Sequence, residues 1–166
     1  MSATVRVRDL VPADLAAVLS LNRAAEPAVG PLDAAGLASL VDRADRARVA
    51  TTGDAVTGAL IALLPGRGHG DPHYRWFEAS GVAFLYVDRI MVIDDRRGAG
   101  VGRKLYEDAI AAAAAMGMPR VVCAVNEDPP DPGSLAFHIR LGFQGIESRT
   151  DPASGRRALA MELRLS

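Results

Sequence analysis

"IMVIDDRRGAGVGRKLYEDAI", residues 90–110, passes from an apolar, strand-like run through a charged turn into Gly98, Gly100 and Gly102, and then into a helical pattern. Glycine weakens a helix, so three of them at the mouth of one need a reason. A strand that ends in a glycine-rich turn and feeds a helix leaves the first backbone N–H groups of that helix unpaired, where the helix dipole favours negative charge. Glycine also lets an anion approach the main chain without meeting a Cβ. Arg97 and Arg103 add formal charge beside those amides, as a pyrophosphate would require. A P-loop, G-x-x-x-x-G-K-[ST], fits poorly, because counting from Gly98 its last three positions hold Arg103, Lys104 and Leu105. A dinucleotide motif, G-x-G-x-x-G, fails because the third glycine comes one residue too soon. The competing reading is a glycine turn that merely packs a strand against a helix.

The rest of the chain sets the context for that unit. Its 166 residues suit one domain, read as spanning 1–166, and 49% apolar content fills a substantial core. With 19 basic against 20 acidic residues, net −1, there is no general reason to expect a nucleic-acid partner. Any anion must be bound locally. A single cysteine, Cys123, cannot form an intramolecular disulfide. The amino terminus lacks an apolar signal core, and no apolar run approaches the ~18 residues of a membrane span. A soluble cytoplasmic protein with no membrane partner is therefore expected.

Along the chain, "TVRVRDL" alternates like a strand and "PADLAAVLSLNRAA" has helical spacing. "PLDAAGLASLVDRADR" reads as a second helix with Pro31 near its first turn, and two apolar runs around Gly53-Asp54 read as a hairpin. Residues 66–81, rich in Gly and Pro and holding the only tryptophan, read as a long excursion. "VAFLYVDRIMVI" is a strand, "RVVCAVN" a buried strand, "SLAFHIRLG" a short helix, and "FQGIESRT" and "RRALAMELRL" two last strands around a turn.

"RRGAGVGRKLYEDAI" resembles the acetyl-CoA signature of the GNAT acetyltransferase superfamily, R/Q-x-x-G-x-G/A, with Arg97, Gly100 and Gly102 at its fixed positions. "SLAFHIRLGFQGI" is similar to the family segment in which a short helix runs into a Leu-Gly-Phe strand entry, here Leu141, Gly142 and Phe143. "HYRWF", "FLYVDRI" and "VNEDPPDPGSLAFHIRLGF" resemble a subgroup of predicted acetyltransferases. The resemblance implies an α/β fold: a mixed, mostly antiparallel sheet of about seven strands, splayed between strands 4 and 5 and flanked by about four helices. It implies acetyl-CoA as cosubstrate, with pantetheine pairing along the main chain of Ile90, Met91 and Val92. The pyrophosphate would lie on the amides of Arg97, Gly98, Ala99, Gly100, Val101, Gly102 and Arg103. Asp131 and Ser134 fall near the positions that contact the pantetheine arm, although the family more often has Asn where this chain has Asp131. A homodimer accords with family habit.

The implied reaction is direct attack of a primary amine, of a small molecule or peptide, on the thioester. It needs a neutral nucleophile, a polarised carbonyl and a proton for the departing thiolate. The backbone N–H of Val92 would polarise the carbonyl, a contribution on the order of 3 kcal/mol in other acyl transfers. Where the family most often has a proton-donating tyrosine, this chain has His138, which with an ordinary pKa of ~6.5 can donate or accept. The bland reading is a core histidine satisfied by a hydrogen bond. Asp88, interrupting an apolar run, is the candidate base; the alternatives are an ion pair with Arg89 or Arg75, a chain of waters, or Glu78. Cys123 reads as a small buried hydrophobe. His69, Asp71 and His73 alternate like metal ligands but on a loop, and no metal is expected. Trp76 and Tyr86 are the candidates for acceptor contacts. An acyl-CoA-binding sensor without turnover, or a transferase using another acyl-CoA, remain the alternatives.

Overall fold

The computed structural model describes residues 4–93 and 100–166. In chain order its elements are β1 (Val5–Asp9), a 3-10 turn (Pro12–Asp14), α1 (Leu15–Ala25), α2 (Ala34–Arg43), β2 (Arg46–Thr52), β3 (Ala55–Leu63), α3 (Pro72–Ala79) and β4 (Leu85–Val92). There follow α4 (Val101–Ala115), β5 (Arg120–Asn126), α5 (Pro132–Leu141), β6 (Gln144–Thr150) and β7 (Arg157–Arg164). The strands form a seven-stranded sheet in the order β1-β2-β3-β4-β5-β7-β6. The pairs β1·β2, β2·β3, β5·β7 and β6·β7 are antiparallel, and β4·β5 is parallel. The register of β4 with β5 covers Leu85↔Val121 and Tyr86↔Val122, whereas β5 pairs β7 from Arg120 to Asn126. No helix among the described residues is long and apolar enough to cross a membrane.

The chain packs as two compact units. One takes in the chain through Leu63 together with Arg89–Ala112; the other is Leu64–Asp88 with Ala113–Ser166. In the first unit, β2 and β3 join through a two-residue turn whose Gly53 has φ +61°. From Thr57 onward β3 is buried at every residue, the pattern of a strand covered on both faces. Helix α2 starts at Ala34 under an Asp33 cap, whose carboxylate accepts the Gly36 N–H at 2.7 Å; Pro31 therefore stands before the helix and outside its first turn. Arg46 and Arg48 of β2 converge on Asp108 of α4, with contacts of 2.8 and 3.1 Å, and fix that helix to its strand.

In the second unit, the stretch read as an irregular excursion contains α3. Asp71 accepts from the N–H groups of His73 and Tyr74 at 2.7 and 3.1 Å, and Pro72 occupies the first helical position. Tyr74 and Phe77, three residues apart on α3, are fully buried and meet Phe84 at ring separations of 5.7 and 6.0 Å. Arg120 opens β5 beneath them, 5.3 Å over the Phe77 ring and 3.0 Å from Glu162. Helix α5 is capped by Asp131 and ends at Gly142, whose φ of +106° turns the chain into β6.

Candidate active site

The last part of β4, from Arg89, and α4 as far as Ala112 lie in the first unit. On β4, Met91 is buried while Ile90 and Val92 are half-buried, so the strand alternates through the residues expected to pair with pantetheine. Arg97, Gly98 and Ala99 lie outside the described residues. At Gly100 the backbone has φ +83°, a conformation that strains any side-chain-bearing residue, and its carbonyl accepts Lys104 N–H at 3.0 Å as the first turn of α4. Val101 is buried, Gly102 half-buried and Arg103 exposed. The mouth of this helix is set by a residue that the sequence reading overlooked. A Cβ on Gly58 of β3 would stand 2.8 Å from Val101 Cγ1, 3.0 Å from the Met91 carbonyl oxygen and 3.1 Å from Leu105 Cδ1. Only glycine lets α4 and β4 approach β3 this closely. The available signal was a lone glycine inside an apolar strand run.

The remaining candidates lie in the second unit. His138 is 3% exposed, ringed edge-to-face by Phe137 and Phe143 at 5.4 and 5.3 Å. Its Nδ1 lies 2.7 Å from the Ser134 carbonyl oxygen. A carbonyl only accepts, so Nδ1 carries the proton and the lone pair is on Nε2. Burial lowers the pKa of His138, against smaller raising effects of the Ser134 carbonyl and Asp131. The ring is thus held neutral near pH 7. Ser134 enters through that carbonyl and through its Oγ, 3.4 Å from Nδ1, while the Asp131 carboxylate accepts the Ser134 N–H at 3.1 Å.

Asp88, with a side chain 3% exposed, lies 2.6 Å from Nε2 of His69. The neighbouring Arg89 belongs to the first unit, where it donates to Asn22 Oδ1 at 2.6 Å and to the Gly30 carbonyl at 3.0 Å. Glu78 accepts the Gly66 N–H at 2.7 Å. Of the alternating trio His69, Asp71 and His73, the structure gathers the first two with Asp88 in place of His73: one donor atom from each lies within 4.8 Å of the others. That cluster is hydrogen-bonded. Asp71 Oδ1 takes the N–H groups of His73 and Tyr74 and, at 3.3 Å, the Tyr86 hydroxyl.

Tyr86 itself is 2% exposed, and burial, with Asp71 and Asp88 nearby, pushes its hydroxyl well above the ordinary tyrosine range. It faces Asp71 from within the core. Trp76 is half-buried, with the Arg149 guanidinium 4.7 Å over its ring. Cys123 is 3% exposed in β5, as a small core residue would be. Nothing in the sequence pairs His69 with Asp88, which only the return of the chain through α3 brings together.

The chain matches the model of the Acetyltransferase (GNAT) family over residues 26–143. No match to a curated protein was found. Its fold is similar to the crystal structure of Ard1 from Thermoplasma volcanium, with TM-score 0.76, 17% identity and 98% of each chain covered. It is also similar to yncA, a putative acetyltransferase from Salmonella typhimurium solved with its cofactor acetyl-CoA, with TM-score 0.72, 19% identity, and 99% of this chain and 95% of that one covered. A third is Arabidopsis thaliana Naa50 in complex with the bisubstrate analogue CoA-Ac-MVNAL, with TM-score 0.73, 16% identity, and 97% and 99% covered. At such identities the three likenesses speak for the fold, whereas the family match contains α3, β4, the glycine cluster, α4, β5 and α5, every element that carries a candidate residue. By that match the chain belongs to the acetyltransferase (GNAT) family.

Proposed function

We propose that residues 1–166 act as one catalytic domain that transfers an acetyl group from acetyl-CoA to a primary amine of a small molecule or peptide. The observation that carries this reading is the family match over residues 26–143. Ile90, Met91 and Val92 would hold pantetheine, with the Val92 N–H on the thioester carbonyl, and the turn from Arg97 to Arg103 would take the pyrophosphate. Asp131 and Ser134 hold the α5 end of the site, Asp131 as its cap and Ser134 as the partner of His138. A neutral His138 is a weak acid toward a thiolate whose conjugate thiol has pKa ~8.5, so His138 works as a shuttle. It takes a proton from the attacking nitrogen in the tetrahedral intermediate, then returns it to the departing sulfur as the C–S bond breaks. Asp88 belongs to the side that removes the proton of the incoming ammonium. Trp76 contributes its half-buried ring to the acceptor side, and Tyr86 contributes through the Asp71 carboxylate it donates to. The reading uses no metal, nucleic acid or membrane, sets the protein in the cytoplasm and allows a homodimer.

The test is thiol release from acetyl-CoA across polyamines, amino acids, aminoglycosides and peptide amines, with calorimetric CoA binding on the same sample. Turnover on one class supports the reading and names the acceptor. Turnover only with succinyl- or propionyl-CoA would change the donor. Tight CoA binding without turnover on any amine would replace the enzyme by an acyl-CoA-binding module.

A further inference from the structure

His69, in the segment between β3 and α3, has no part in the scheme above, yet its side chain is packed into the second unit. Its Nε2 lies 2.6 Å from Asp88 Oδ1, and the two side chains are 11% and 3% exposed. So short a contact between an imidazole nitrogen and a carboxylate oxygen holds a proton, which with Asp88 ionised sits on Nε2. In the neutral ring the lone pair is then on Nδ1, and that atom is buried with no hydrogen-bond partner among the described residues. Buried polar atoms are nearly always satisfied, so an orphan beside an oriented carboxylate calls for an explanation.

Two aromatic rings pack against the imidazole. Tyr74 of α3 meets the ring edge-to-face at 5.3 Å, and Tyr86 of β4 lies at 6.5 Å. Burial raises the pKa of both tyrosines, so they stay neutral. Asp71, at the cap of α3, spends Oδ1 on three donors. Among the described residues, the titratable groups shown against the imidazole are Asp88, Asp71 and two protonated tyrosines, and of these Asp88 is hydrogen-bonded to it.

We propose that His69 is the proton acceptor of the transfer and that Asp88 is its positioning residue. This rests on the acetyl transfer proposed above and assigns its base. One N–H bond of the incoming ammonium breaks, and a bridging water carries the proton to Nδ1, which lies beneath the surface. An N–H bond forms there, the nitrogen of the amine keeps its electron pair for attack, and the new imidazolium is paired with the Asp88 carboxylate, which stays ionised.

The chain holds three histidines, so their ring nitrogens can be assigned by NMR. Under the conditions in which the protein turns over, wild-type His69 should show Nε2 protonated and Nδ1 bare, a readout that needs no substrate and no variant. In the pH profile of kcat/KM, His69→Gln should lose the acidic limb and Asp88→Asn should keep it at a displaced pH, each falling by roughly 10²–10⁴ at neutral pH, with the double variant no worse than the poorer single one. A protonated Nδ1 would overturn the assignment. So would an acidic limb that survives His69→Gln but not Asp88→Asn, which would make the carboxylate the base. A bare Nδ1 in a protein that binds CoA but acetylates no amine would overturn the function proposed above, and the role of His69 with it.

Discussion

Gly58→Ala tests whether the mouth of α4 depends on a missing side chain. The added methyl would stand 2.8 Å from Val101 Cγ1, 3.0 Å from the Met91 carbonyl oxygen and 3.1 Å from Leu105 Cδ1. The two side-chain tips can turn away, but the Met91 oxygen belongs to the backbone of β4 and must move with its strand. Overpacking of this kind costs about 1–3 kcal/mol. Replacing glycine returns about 0.4–1 kcal/mol by restricting the unfolded chain. A net loss of about 1–2 kcal/mol is expected, or a Tm lower by about 2–8 °C at this chain length. Urea denaturation should show a lower midpoint at unchanged slope. Because the proposed acetyl-CoA site includes both Met91 and Val101, calorimetry should also show CoA binding weakened about tenfold, some 1.4 kcal/mol. Gly30→Ala is the control, since a Cβ there meets nothing within 4 Å. If Gly58→Ala matched wild type in both midpoint and CoA affinity, close approach at Gly58 would not be what seats α4.

Gly100→Glu should abolish CoA binding in calorimetry, because it forces a side chain onto a φ of +83° and puts negative charge where pyrophosphate is to lie; undiminished affinity would remove the anion cradle. His138→Phe should lower kcat by roughly 10²–10⁴ with little change in acetyl-CoA affinity, and unaltered turnover would return His138 to the core. His138 also sets an acid window for stability. Its folded pKa lies below its ordinary ~6.5, so the unfolded chain binds the proton more readily and stability falls as pH drops from about 6.5 toward the folded value. The lowered carboxyls of Asp14 and Glu162 give up their stabilisation only at lower pH, below about 4.5. Chemical denaturation between pH 7 and 5 should therefore show a slope in wild type that His138→Gln reduces.

What the sequence disclosed and what it hid divide along physical lines. The unit from β4 to α4 was legible because alternation, a glycine cluster and helical spacing follow one another within a single window. The Leu-Gly-Phe entry to β6 was legible for the same reason, as Gly142 ends α5 in the left-handed region. Helix α3 was hidden by its own flanks: Pro65, Gly66, Gly68 and Gly70 before it and Gly81 after it suggest a loop, and at eight residues it is too short for periodicity to outweigh them. Its signal was the Asp71-Pro72 cap with Tyr74 and Phe77 three residues apart. Gly58 looked like one more small residue in an apolar run until the atoms around its absent Cβ were known. His69 and Asp88 are separated in sequence by a whole helix, and the alternation of His69, Asp71 and His73 drew attention to the wrong partner. Asp71 is occupied as a helix cap, while Asp88 meets the imidazole from the next strand.

The strand order ends in β1 and β6, each with a neighbour on one side only. Such strands offer a row of open amides and carbonyls to any second chain. Both are poor templates. β1 alternates with Arg6 and Arg8, the latter ion-paired to Asp14, and β6 carries a register shift between Gly145 and Glu147 and an ion pair from Glu147 to Arg149. Irregular register and charge along an open strand disfavour sheet extension across molecules, so two copies of this chain would associate through side-chain faces, and the protein is protected against the strand-to-strand growth that leads to aggregates.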